Sequence, residues 1–119
     1  MAVIGASQDE AKFGNKAVRA FKDAGWNVIP VSPKGGKIDG IEVVADLTTV
    51  EESPDVISVY LPPPVFLKQL PFIAELGCRE LWINPGAGSA EVISEARSLG
   101  LKPVETCSIL HIGKSPMDY

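Results

Sequence analysis

Short apolar runs alternate along this chain with stretches whose apolar residues recur at helical spacing, and that alternation narrows the possible folds more than any other feature. The runs are residues 2–4, 27–31, 55–61, 80–83 and 102–104. Between them lie Ala17, Val18, Phe21 and Ala24, then Leu67, Leu70, Ile73, Ala74 and Leu76, then Val92, Ile93, Ala96 and Leu99, each set spaced for one face of a helix. Strands joined through helices cross over with one hand and lie parallel, so the sheet is covered on both faces. The expected fold is α/β, a Rossmann-like three-layer sandwich with a parallel sheet of about five strands in the order 3-2-1-4-5. The length of 119 residues suits a single domain spanning 1–119, large enough for a core and too short for a separate substrate domain.

Breakers mark the element ends. Gly25, Gly77 and Gly100 follow the three helical patterns, where a left-handed cap belongs. Residues 8–14 are polar and lack helical period, so the first helix is expected to start near Asn15 as its N-cap. Ser89 fits the N-cap of the third helix, with Glu91 in its first turn. Pro71 interrupts the second pattern and predicts a kink or two short helices there. Pro30 has no amide donor, so its strand should have one side that needs no regular partner. Residues 38–44 read as a small irregular extension carrying a D-G turn, residues 46–52 as a short helix. The first strand is short for a central one, and either a natural chain that starts a little earlier or a trimmed N-terminus is expected.

Gly5, Ala6 and Ser7 follow the first strand as a turn that only small residues can make. Such a turn meets a helix N-terminus, where α/β sheets collect phosphate. A second glycine-rich turn, Asn84, Pro85, Gly86, Ala87, Gly88 and Ser89, follows the fourth strand. A ligand is expected over the C-terminal strand edges, at the switch between the first and fourth strands.

Charge bears on the ligand. The net charge of −4 divides into +3 over residues 1–37 and −7 over the remainder. An acidic chain with no aromatic-basic stripe lacks the footprint for nucleic acid, whereas a small polyanion needs only a local positive region. No apolar run approaches the roughly 20 residues of a membrane span, and the start does not read as a signal peptide. The reading is cytoplasmic. Cys78 and Cys107 lack metal-ligand spacing and give no disulfide framework.

The dinucleotide fingerprint wants a second close glycine and an acid at the end of strand two, to hold a bare ribose. This chain has Val31, Ser32 and Pro33 there, followed by Lys34 and Lys37. Cations suit a ribose that carries its own phosphate, as in coenzyme A or NADP.

The motifs together, Val3 to Ser7, Val31-Ser32-Pro33, Tyr60-Leu61-Pro62-Pro63, Trp82 to Ala87 and finally Cys107, resemble the stand-alone CoA-binding domain proteins of bacteria and archaea. Those are similar to the N-terminal domain of the succinyl-CoA synthetase alpha subunit. The resemblance covers nearly the whole chain. It implies that Gly5, Ala6 and Ser7 hold phosphates, that Ser32, Pro33 and Lys34 meet the phosphorylated adenosine end, and that Asn84, Pro85 and Gly86 lie near the pantetheine arm. Lys12, Gly14, Leu61 and Pro62 complete the candidate cofactor-binding set.

The expected function is non-catalytic binding of coenzyme A or an acyl-CoA, because no nucleophile-base pair, carboxylate pair or metal cluster is visible. His111 and Cys107 are read as structural. Two other readings stay open: an NAD(P)-binding redox sensor or small reductase, and the CoA-binding subunit of a split acyl-CoA ligase. The expected partner is thus a small nucleotide cofactor, with a homo-oligomer or a ligase-like subunit also possible.

Overall fold

The computed structural model describes residues 1–119. Its centre is a five-stranded sheet in which every paired neighbour is parallel: β1 (Ala2–Ile4), β2 (Ile29–Val31), β5 (Val56–Val59), β6 (Glu80–Ile83) and β7 (Pro103–Glu105). Helices α1 (Phe13–Asp23), α2 (Pro63–Leu76), α3 (Ala90–Ser98) and the short α4 (Ser108–His111) connect or follow the strands. A two-stranded hairpin, β3 (Lys37–Ile38) with β4 (Ile41–Glu42), stands apart from the main sheet. Its turn is the D-G pair, with Asp39 at φ 49° and Gly40 at φ 80°, the left-handed values a two-residue hairpin requires.

Period-two alternation along the strands builds two apolar layers. Ala2, Ile4, Ile57, Val59, Leu81 and Ile83 face α2 and α3, where they meet Phe66, Leu70, Ile73, Val92 and Ala96. Val3, Val56 and Trp82 face the other way, onto Ala17, Val18, Phe21 and Ile109. β1 and β5 are buried along their whole length, as strands covered on both faces must be. Each fully buried Phe, Leu or Ile contributes about 1.5–3 kcal/mol over its exposed state. The three-layer α/β class expected from the sequence is the one found.

The strand order differs. Counting the five sheet strands in chain order, the sheet runs 2-1-3-4-5, with β5 directly beside β1. The physical reason is Pro30. Ile29 donates to Met1 O, and Val31 O accepts from Gly5 N, so the alternate residue Pro30 turns its donorless nitrogen to the outer side. That side carries only the single bridge Val31 to Val44, with Val44 N donating to Pro30 O and Ser32 N to Val44 O. The next full strand therefore joins the free side of β1, and the topological switch lies between β1 and β5.

Three local expectations are also corrected. Helix α1 begins at Phe13, two residues before Asn15, which lies inside the helix and caps nothing. Helix α2 runs unbroken across Pro71. Residues 46–52 yield one 3-10 turn, Leu47–Thr49, capped by the Asp46 carboxylate on Thr48 N. Ser89 does cap α3, its hydroxyl accepting from Val92 N at 3.1 Å.

Candidate functional site

A cavity of about 640 Å³ opens over the C-terminal ends of β2, β1, β5 and β6. Of the predicted residues, Gly5, Ala6, Ser7, Lys12, Gly14, Ser32, Lys34, Leu61, Pro62, Pro85 and Gly86 line it. Pro33 and Asn84 do not, and neither does Lys37. The walls also include Gln8, Asp9, Phe13, Gly35, Ile38, Val43, Tyr60 and Ala87, which stand outside the set predicted from the sequence. For Tyr60 a signal existed, since it opens the motif Tyr60-Leu61-Pro62-Pro63 that carries part of the family resemblance. Ile38 and Val43 fall in the stretch read as a small irregular extension, and only the fold brings them to the cavity.

The first turn is shaped by close approach. Gly5 has φ +88°, and a Cβ there would lie 2.6 Å from Tyr60 O. Gly14 packs so tightly that a Cβ would overlap Gly5 O. The glycine that lets the helix approach the strand thus stands nine positions after the first, inside α1.

The polar groups of this turn divide by role. The amides of Gly5 and Ala6 both donate to Val31 O, at 3.1 and 3.2 Å, so they belong to the sheet. The amides of Ser7, Gln8, Phe13 and Gly14 have no partner within the chain, and no side chain caps α1. They supply donors at the positive end of the helix dipole, beside Lys12. Helix α2 offers less, because Pro63 and Pro64 at its start have no N–H to give. Of the two helix starts, α1 therefore has more free amide donors.

Asn84 does other work. It is 2% exposed; its Nδ2 donates to Ser58 Oγ and Val59 O, each at 2.9 Å, and its Oδ1 accepts from Ser108 N at 2.8 Å. Its side chain ties β5 and β6 to the start of α4. Ser58 and Ser108 hydroxyls complete this buried cluster at 2.8 Å. Tyr60 Oη is buried without a hydrogen-bond partner, and burial, helped by the neighbouring Cys107, drives its pKa well above the ordinary phenol value.

Pro33 faces a second cavity, about 330 Å³ and mainly apolar, that shares Gly5 and Leu61 with the first. Ala45, Leu47, Val65 and Phe72 form its walls with Pro33. Cys107 is half-buried in a shallower cleft with Glu105, Thr106 and residues 83–86 and 88. His111 is exposed and packs its ring edge to face with Trp82, the centroids 4.5 Å apart.

The chain matches the model of the CoA binding domain family over residues 1–113. It belongs to that family. Among relatives of this CoA-binding domain, an ADP-forming acetate–CoA ligase of Methanocaldococcus jannaschii is 32% identical over 92 residues, 77% of this chain and 13% of the ligase. The uncharacterized protein YneT of Bacillus subtilis is 29% identical over 75 residues, 63% of this chain and 53% of that protein. The chain thus spans a small part of the ligase and about half of YneT.

Solved structures share the fold of this CoA-binding domain across most of its length. A conserved hypothetical protein from Pyrococcus furiosus superposes with a TM-score of 0.85 at 30% identity, covering 92% of this chain and 96% of that one. A Thermus thermophilus protein gives 0.84 at 26% identity, covering 93% and 84%. No helix of this domain is long and apolar enough to cross a membrane.

Proposed function

We propose that this protein binds coenzyme A or an acyl-CoA in the cavity over β2, β1, β5 and β6, without itself catalysing a reaction. The pyrophosphate sits on the free amides of Ser7, Gln8, Phe13 and Gly14, beside Lys12. Lys34 meets the phosphate on the ribose, and the apolar cavity beside Pro33 takes the adenine ring. The pantetheine arm passes over Leu61 and Pro62 toward the backbone at Pro85 and Gly86.

One observation carries the reading. Lys34 shares the cavity with Gly5, while the strand-two end places no carboxylate there to grip a bare ribose hydroxyl. Asp9 is the sole carboxylate on the walls, and its Oδ1 already accepts from Ala11 N at 3.0 Å. Binding rather than catalysis is inferred because the wall hydroxyls of Ser7 and Ser32 each accept from a backbone amide, of Asp9 and Lys34, and neither is hydrogen-bonded to a carboxylate or an amine. The proposed place of this binding is the cytoplasm.

Calorimetric titration with CoA, NAD and NADP tests the proposal. Saturable heat from CoA with little from NAD is expected; tight binding of NAD with none of CoA overturns it. A second reading, a module that presents CoA to separate ligase chains, draws support from the likeness to one segment of the acetate–CoA ligase. Co-purification of such a chain would distinguish it from a module acting alone.

A further inference from the structure

Asn15 is a polar residue in the first turn of α1, 3% exposed and turned to the loop beneath it. Its Nδ2 donates to Ser7 O at 2.8 Å, and its Oδ1 accepts from Arg19 Nε at 2.7 Å. Arg19 reaches on, its Nη2 donating to Glu10 O and Tyr119 O, each at 3.1 Å. One pair of side chains, a helical turn apart, thus holds two carbonyls of the loop between β1 and α1. Neither side chain lines the cavity.

A peptide unit is planar and trans, so a carbonyl fixed in one direction sends the next N–H in the opposite one. Holding Ser7 O against Asn15 therefore aims the amide of Gln8 away from Asn15. That amide has no partner within the chain, and Gln8 lies on the cavity wall. Residues 8–11 are exposed and belong to no helix or strand; Asp9 N on Ser7 Oγ, Ala11 N on Asp9 Oδ1 and Lys12 N on Asp9 O fold the turn after Gln8, but the carbonyl of Ser7 is held by Asn15 alone. Without the Asn15 contact the Ser7–Gln8 peptide has to be ordered by the ligand, which weakens binding.

The geometry points to Asn15 and Arg19 as positioning residues that preset the phosphate turn for a pyrophosphate. This rests on the CoA reading above, and its test separates the two. Asn15→Ala and Arg19→Gln are titrated calorimetrically with CoA and dephospho-CoA, their unliganded melting is recorded, and 15N amide spectra follow the addition of inorganic pyrophosphate. Expected for Asn15→Ala is an equal loss for both nucleotides, about tenfold, the worth of one well-placed hydrogen bond. A smaller loss is expected for Arg19→Gln. The Gln8 amide should shift with pyrophosphate in the unaltered protein and stay still in Asn15→Ala.

A folded Asn15→Ala that binds both nucleotides as the parent does, or that loses only CoA, overturns the inference. So does a Gln8 amide that ignores pyrophosphate in the parent. Should Asn15→Ala fail to fold, Arg19→Gln carries the comparison, and unaltered binding by it overturns the inference. A parent that binds no CoA defeats the cofactor reading instead, while the pyrophosphate spectra still decide the role of Asn15.

Discussion

Gly14 lies against Gly5 so closely that a methyl group on the one would overlap the carbonyl oxygen of the other. Gly5 is pressed from its far side too, by Tyr60 O, so the turn sits between a helix start and a strand end. Neither neighbour is a flexible side chain, so a methyl must displace backbone. Gly14→Ala is expected to cost about 1–3 kcal/mol of stability, the range for overfilling a packed site. It should also move the amides of Phe13 and Gly14 and weaken CoA. Chemical denaturation and CoA titration of the variant check both; full affinity would show that these amides do not hold the ligand.

Lys34→Ala should weaken CoA more than dephospho-CoA by about 1–2 kcal/mol, the size of one charge-assisted hydrogen bond. The same change at Lys37, which is exposed in β3 and absent from the cavity walls, should leave the difference between the two ligands intact. Titrating both variants with both ligands decides whether Lys34 reads the ribose phosphate.

Asn84→Ala strands the Ser108 amide and the Val59 carbonyl in the interior, together with a weakened Ser58–Ser108 pair. Unsatisfied buried groups cost about 1–3 kcal/mol each, so a loss of about 2–5 kcal/mol is expected. Urea denaturation measures it. A near-neutral result would mean that water or a shifted Ser108 replaces the amide.

Burial raises the Cys78 thiol to about 11, a backbone hydrogen bond from Ile57 opposing this only in part. The folded value lies above the unfolded one, so the neutral thiol's contribution to stability is complete below pH ~8.5 and is lost as pH climbs toward the folded value. Alkylation by iodoacetamide follows the thiolate, and at pH 8 Cys78 should react far more slowly in the folded chain than in urea. Peptide mass analysis of a time course reads this directly; equal rates would contradict the burial.

Some of the misread details had a signal in the sequence. Pro30 already marked its strand as one with a free side, a condition that the order 3-2-1-4-5 violates by placing strands on both sides of strand two. The start of α1 had none. Residues 8–12 form no regular element, Lys12 caps with its backbone alone, and an asparagine three residues on reads locally as a cap. The side-chain partners of Asn15 and Asn84 show why: each joins groups that the folded backbone, and not proximity in sequence, brings within reach.

By itself, the sequence determined the succession of strands and helices, the two-sided burial of the central strands, and the small-residue turn with a lysine-bearing loop nearby. These follow from periodicity, glycine and proline, which act over a few residues. Tertiary structure alone decided that β5 lies beside β1, that Asn84 faces inward while Pro33 borders a separate apolar cavity, and which amides of the first turn are left without a partner. Those depend on contacts across the sheet and through the interior, where every polar group must find its partner in three dimensions.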